Sequence, residues 1–430
     1  MAPARSALAA VGDHEDLMSA VAAHVSEARL WDRHMALARH GATGKGGVSR
    51  LALGEEEIAA RRTLIAWARN LGLSVSTDAA GNLFFRLEGA DPTLPPVLTG
   101  SHIDTQPVGG RFDGAFGVLA ALEAVEAMKA AGIAPRRPVV VVSWMNEEAS
   151  RFAPGMMGSE AFAGARPLDE ILAVRDDDGI TVAEALARVA AAFPDVPEGP
   201  LGFPVRAFIE AHIEQGPVLE AEGIPVGIVT GIQGSRRFRI TVHGDEAHAG
   251  TEPLTKRRDA FLAAVDIVQG LREAFHDPDD VVRFTVGRFE IFPNAPSVVA
   301  GRAYFSVDLR HPDWPTLKRL GDLVPAIAAE RAGRCRAETA EIAISPSLDF
   351  APEITGLLEE VATDLAIRHR RIYSAAGHDA RPLHTVCPTG MIFAPCAGGI
   401  SHNEAEWSEP ADLAAGARVL VEALARLAAA

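Results

Sequence analysis

Residues 100 to 117 read Gly-Ser-His-Ile-Asp-Thr-Gln-Pro-Val-Gly-Gly-Arg-Phe-Asp-Gly-Ala-Phe-Gly, and further on Trp144-Met-Asn-Glu-Glu-Ala-Ser-Arg-Phe152 ends an apolar run. His102, Asp113, Glu147 and Glu148 therefore stand among glycines and where strands run out, the place at which open α/β sheets build their sites. Imidazole and carboxylate groups can together ligate a divalent ion and hold a proton. His102 and Asp104 are two residues apart, so in extended backbone their side chains point to the same side. A carboxylate behind a ligating imidazole fixes its tautomer, which makes Asp104 the expected orienter of His102. Asp113 is flanked by Gly110, Gly114 and Gly117, which let the backbone turn sharply enough to aim one carboxylate at two ions. Of the adjacent Glu147 and Glu148, one would ligate and the other would hold a proton. The combination points to a two-metal hydrolase.

Two more candidate ligands lie downstream. Phe208-Ile-Glu-Ala-His-Ile-Glu-Gln-Gly216 alternates like a strand and contains His212, and Gly398-Gly-Ile-Ser-His-Asn-Glu-Ala-Glu-Trp407 presents His402 after the apolar run Met391-Ile-Phe-Ala. Singly, such residues are as readily a satisfied core histidine or a capped turn. As a set, His102, Asp113, Glu148, His212 and His402 offer mixed imidazole and carboxylate ligation. That mixture suits zinc, manganese, cobalt or nickel and disfavours calcium or a thiolate site.

The elements that must position these groups alternate as an α/β protein requires. Pro96 to Thr99 reads as a strand buried on both faces, and Pro138 to Trp144, rich in valine, as a central parallel strand. Glu55 to Asn70 is an amphipathic helix with an acidic first turn, and Gly72 is placed to stop it. Helix-like and strand-like segments continue to residue 222, giving a doubly wound mixed sheet. Residues 223–344 then change pattern: a strand over Arg237 to Val242, a helix over Arg258 to Phe275, strands over Val281 to Val286 and Ala303 to Asp308, a helix over Leu317 to Arg331 and a strand over Ala337 to Ile344. That is βαββαβ, a ferredoxin-like unit. The expected organisation is a catalytic domain in two parts, 1–222 and 345–430, interrupted by this insert, with a helix over Glu353 to Arg368 in the second part.

Composition bounds the function. The chain has 430 residues, 48% of them hydrophobic, enough for two domains with sizeable cores. A formal net charge of −16 disfavours nucleic acid and means that an anionic substrate must meet a local cation. No stretch approaches 18 uninterrupted apolar residues, so no membrane span is expected. Only three cysteines occur, and no apolar targeting region stands behind basic residues at the N-terminus, so a cytoplasmic protein is expected.

The ordered segments Gly44-Lys-Gly-Gly-Val-Ser-Arg-Leu51, Asp78-Ala-Ala-Gly-Asn-Leu83, Ser101-His-Ile-Asp-Thr105, His248-Ala-Gly-Thr-Glu-Pro253, Ala376-Gly-His-Asp-Ala380 and Ser401-His-Asn403 resemble the hydantoinase/carbamoylase amidases, within the dinuclear metallopeptidase clan. These include N-carbamoyl-L-amino-acid hydrolases, β-ureidopropionases and allantoate amidohydrolases. The resemblance spans nearly the whole chain. It implies two divalent ions per subunit, held by His102, Glu148, His212 and His402 and bridged by Asp113, with Glu147 as the acid/base. It also implies a cis Asp113–Gly114 peptide, and that the insert is a lid through which a homodimer forms. His248 would stabilise an oxyanion, Arg310 would grip a substrate carboxylate, and Gln215, Asn294, Gly399 and Ser401 would touch the substrate. Where the family has a second asparagine in Pro-Asn-x-x-Asn, this chain has Ser297, which leaves the chemistry intact and the choice of substrate open. The implied reaction is hydrolysis of the ureido C–N linkage of a small anionic N-carbamoyl amino acid, to the amino acid, ammonia and carbon dioxide.

Overall fold

The computed structural model describes residues 21–430. The reading of the N-terminus as lacking a targeting region lies outside the described residues. The chain divides into two compact units, one running up to Thr230 and resuming over Phe350–Ala430, the other Gly231–Asp349.

The first unit is organised by a nine-stranded sheet. Its order runs Ser74–Thr77, Leu83–Leu87, Val139–Trp144, Val97–His102, Ala207–Ile213, Thr389–Ala394, Val226–Ile232. The four central strands of this series are mutually parallel, and antiparallel strands flank them. Their registers matter for the site: His102 pairs with Trp144, and Ala394 pairs with Ile213. The four strands therefore end at one edge of the sheet, and their ends and the loops after them carry the candidate ligands. Val97–His102, Val139–Trp144 and Ala207–Ile213 are buried along their whole length, as strands covered on both faces must be. Each fully buried valine or isoleucine in them contributes about 1.5–3 kcal/mol of hydrophobic stabilisation. The alternation read in the His212 segment thus does not mark a half-exposed strand; Glu210 and His212 are polar residues inside a closed core.

The helix Ala115–Ala130 starts directly after Asp113 and is buried over most of its circumference between the sheet and the C-terminal helix Pro410–Ala429. Its small residues permit this: a Cβ on Gly117 would lie 2.4 Å from the Ala211 carbonyl oxygen. The helix Glu55–Asn70 has the limits its pattern predicts, and Gly72 follows in the left-handed region at φ 74°. After the insert, the expected helix ends sooner, at Asp364, because His369–Ser374 is taken as a strand against Val226–Ile232.

The second unit is an antiparallel sheet in the order Phe289–Phe292, Arg302–His311, Gly234–His243, Arg336–Ser345, with Arg283–Thr285 also paired to Arg302–His311. Helices Ala260–Ala274 and Trp314–Arg331 start from Asp259 and Asp313, whose carboxylates accept backbone N–H bonds of the first turn. Phe238, Ile240 and Val242 alternate with exposed residues and meet Ile267, Leu271 and Val324 in this unit's core. The unit begins at Gly231 and not at 223, because Val226–Ile232 is an apolar strand of the first unit's sheet, pairing with Thr389–Ala394. Among the described residues no helix is long and apolar enough to cross a membrane.

Candidate metal centre

His102 closes its strand, His212 lies one residue before the end of the neighbouring parallel strand, and Asp113, Glu147, Glu148 and His402 sit on loops beyond the same edge. The structure gathers them around Asp113, which is 4% exposed. One carboxylate oxygen, Oδ1, lies 3.2 Å from His212 Nε2 and 3.7 Å from His102 Nε2. The other, Oδ2, lies 3.2 Å from His402 Nε2, which is itself 3.3 Å from Glu148 Oε2. Two groups able to hold an ion result, His102 with Asp113 and His212, and Asp113 with Glu148 and His402, and they share Asp113. Glu147 belongs to neither; its Oε2 is 3.6 Å from His102 Nε2.

The imidazoles are held with Nε2 turned inward. His102 Nδ1 is 2.9 Å from the Asp104 carbonyl oxygen and His212 Nδ1 is 2.9 Å from that of Ile213. A carbonyl only accepts, so each Nδ1 carries a proton and each Nε2 is the nitrogen left to meet an ion, the orientation a ligand needs. The Gly114 N–H also points at His212 Nε2, from 3.2 Å. Asp104 thus orients His102 through its backbone carbonyl, while its carboxylate stands 3.6 Å away. That carboxylate instead accepts the backbone N–H groups of Glu147 and Glu148, at 3.2 Å each, and so fixes the turn bearing the glutamate pair. Gln106 Nε2 donates to Glu148 Oε2 at 2.7 Å.

The Asp113–Gly114 peptide is trans, contrary to the cis bond the resemblance implies: among the described residues the cis bonds are Ala153–Pro154 and Phe292–Pro293. The turn is made by Gly114, at φ 63° and ψ −48°. A Cβ at that position would lie 2.3 Å from the His102 ring, so only glycine lets the backbone pass.

Charge supplies the test of whether ions fit. Asp104, Asp113, Glu148, Glu210, Asp379 and Glu406 are all buried in this unit. The buried guanidinium near them, Arg50, is spent on the carbonyls of Leu37, His40 and Ile103. Burial pushes Glu148 up to about 8 and Asp104 up to about 7, and it raises Glu147 well above the usual carboxylate range, with Asp379 and Glu148 adding to it. Burial pulls His212 down, yet the Asp113 carboxylate outweighs it and brings that ring to about 9; the hydrogen bond that His402 donates to Asp113 takes it to about 9 as well. Uncompensated buried charge is costly. Protons offset that charge in the ion-free cluster and divalent ions would take their place; mixed imidazole and carboxylate donors fit divalent transition metals.

Several polar residues here escaped the reading of the sequence. Glu406, 3% exposed, accepts the backbone N–H groups of Phe112 and Asp113 on one oxygen. Glu210 accepts from Ser101 Oγ at 2.6 Å and Ala380 N at 2.8 Å. Glu210 stands two residues before His212 and thus on its face of the strand, a signal that was present; Glu406 had only its nearness to His402. Among the expected substrate contacts, Gln215 Nε2 donates to Asp113 Oδ2 at 2.9 Å, and Ser401 Oγ lies 3.1 Å from the same oxygen. Gly399 ends the short helical turn Ala397–Gly399, at φ 66°.

The other expected residues belong to the second unit. His248 lies on a two-residue strand paired with Val298, and the Ala249 N–H donates to the Ser297 carbonyl at 3.0 Å, so His248 and Ser297 are neighbours. His248 Nδ1 accepts from the N–H groups of Gly250 and Thr251, at 3.1 and 3.2 Å, which leaves the proton on Nε2 as a donor. Asn294 occupies the left-handed region at φ 58°. Arg310 makes a two-pronged ion pair with Asp308, at 2.9 and 3.1 Å, and Asp308 also takes Arg237.

Residues 98–426 match the family model described as Peptidase family M20/M25/M40. The chain is 38% identical over 404 residues to an N-carbamoyl-L-amino-acid amidohydrolase of Rhizobium meliloti, covering 93% of this chain and 96% of that protein. It is 35% identical to an allantoate amidohydrolase of Escherichia coli, covering 91% and 96%. A crystal structure of an amidase of the hydantoinase/carbamoylase family from Burkholderia multivorans superposes with a TM-score of 0.89 at 42% identity, covering 95% of this chain and 99% of that one. A cluster of candidate metal ligands sharing one carboxylate at the carboxyl edge of the parallel strands and a match over most of the sequence lead to one assignment: the chain belongs to Peptidase family M20/M25/M40.

Proposed function

We propose that this protein is an amidohydrolase that removes the carbamoyl group from N-carbamoyl-L-amino acids, using two divalent ions. The observation that carries the proposal is Asp113, whose two oxygens face two different ligand sets. His102 and His212 would hold one ion with Asp113, and Glu148 and His402 the other. When bound, such ions would lower the pKa of a shared water toward neutrality and polarise the carbonyl. The remaining steps belong to side chains. Glu147, a carboxyl of raised proton affinity beside His102, takes a proton from the attacking water and returns it to the leaving nitrogen. His248, with Nε2 as a donor, stabilises the oxyanion. Arg310 grips the substrate carboxylate, a task suited to a planar fork in an acidic chain, while Gln215, Asn294, Ser297, Gly399 and Ser401 complete the contacts.

The second unit is proposed to be the lid and the seat of a homodimer; the Arg336–Ser345 strand, at the edge of its sheet with Ile342 and Ile344 exposed, offers a surface for a second copy. Three unpaired cysteines suit a reducing cytoplasm.

A second reading, hydrolysis of allantoate, is supported by the likeness to an allantoate amidohydrolase; Ser297 leaves the choice between the two substrates open. The two are separated by turnover of N-carbamoyl-α-amino acids, N-carbamoyl-β-alanine, allantoate and N-acetyl amino acids by metal-loaded protein. Preference for allantoate would replace the first reading with the second, and preference for N-acetyl amino acids would remove both.

A further inference from the structure

The side chain of Glu406 is held on both oxygens. Oε1 accepts the Phe112 N–H at 2.8 Å and the Asp113 N–H at 3.1 Å; Oε2 lies 3.0 Å from Ser401 Oγ, which is also 3.1 Å from Asp113 Oδ2 and receives Gln215 Nε2 at 3.2 Å. Glu406 stands four residues after His402, and its own N–H donates to the Asn403 carbonyl, so it is part of the turn that presents His402. One carboxyl thereby ties the backbone of Asp113 to the segment bearing a candidate ligand 289 residues away. The fit is close: a Cβ on Gly110 would lie 1.9 Å from the Glu406 carboxyl carbon.

We propose that Glu406 is a positioning residue that holds the Asp113 carboxylate at the distance from His402 which the second ion requires. The inference rests on the two-ion reading of the Asp113 cluster. Asp113 sits in a glycine-rich turn outside any strand; Gln215 and Ser401 meet its carboxylate, and Glu406 restrains its backbone by accepting the N–H groups of Phe112 and Asp113. Outer contacts of this kind, when removed, typically weaken metal affinity about 10- to 100-fold.

The test compares the native chain with Glu406→Ala, Glu406→Gln, Gly110→Ala and the Gly110→Ala/Glu406→Ala double variant. Ion stoichiometry and dissociation constants are measured with cobalt(II) against a competing chelator, the visible cobalt spectrum reports ligand geometry, and kcat and KM are measured separately. Glu406→Ala should lose about 10- to 100-fold in affinity at one of two sites, alter the spectrum, and lower kcat while KM stays near native. Glu406→Gln keeps an oxygen for the two N–H groups and should hold both ions within a few-fold. Gly110→Ala, which displaces the carboxyl, should resemble Glu406→Ala, and the double variant should be no worse than either single one, as expected of residues acting through one contact. Native affinity at both sites in folded Glu406→Ala overturns the proposal, as does additive loss in the double variant. If the alanine variant fails to fold, equal near-native affinity in Glu406→Gln and Gly110→Ala overturns it. If the native chain binds fewer than two ions, the two-ion reading falls and this proposal falls with it.

Discussion

The imidazole of His102 fills the space in which Gly114 would carry a side chain: a Cβ there would lie 2.3 Å from His102 Cε1 and 2.4 Å from both ring nitrogens. The turn that delivers Asp113 and the ring that faces it are therefore packed as one object. Gly114→Ala should cost roughly 1–3 kcal/mol through overpacking, more because φ is positive, and should weaken ion binding. Thermal unfolding together with a metal titration checks this; unchanged metal affinity would show that the His102 ring can yield without consequence.

Metal dependence carries a pH signature. With His212 and His402 both at about 9 and Glu148 at about 8, these groups are largely protonated at neutral pH in the ion-free cluster. Ions compete with those protons, so apparent affinity should rise as pH rises from about 7 to 9 and level off above, with about two or more protons released per pair of ions bound at pH 7. Calorimetry in buffers of different ionisation enthalpy counts the protons. Chelation should abolish turnover, and manganese, cobalt, nickel or zinc should restore it; full activity in metal-free protein would end the two-ion proposal.

Glu147 faces His102 yet lies outside both ion groups. Glu147→Gln keeps the shape and removes the base, so kcat should fall by about 10²- to 10⁴-fold with metal content unchanged. Loss of an ion in that variant would exchange the proposed roles of Glu147 and Glu148.

Arg310 is oriented by its two-pronged pair with Asp308. If it reads the substrate carboxylate, Arg310→Lys keeps the charge and loses the fork. With charged hydrogen bonds worth about 1.5–3 kcal/mol, KM should rise roughly 10- to 100-fold for N-carbamoyl amino acids. A substrate amidated at the carboxylate should be poor for the native enzyme and should lose little more in the variant; equal losses on both substrates would make Arg310 structural.

The sequence by itself determined the chemical types and the scaffold. Valine-rich runs bounded by proline read as strands buried on both faces, and candidate ligands at their ends and in the glycine-rich loops after them belong at the carboxyl edge of such a sheet. Period and caps likewise marked the helix Glu55–Asn70 and most of the second unit, because these signals are local. What only the tertiary structure decided are contacts between segments far apart in the chain. The pairing of His102 with Trp144 and of Ala394 with Ile213 brings four loop starts together, and from that follow the two faces of Asp113, the Asp104 carboxylate on the glutamate turn and Glu406 behind Asp113. The need for glycine at position 114 was decided in the same way, by the His102 ring, which leaves room only for a backbone without a side chain. Local periodicity records which face of an element is apolar, but not which distant carboxyl will be enclosed beside it, and burial among other acids is what sets the proton and metal affinity of these groups.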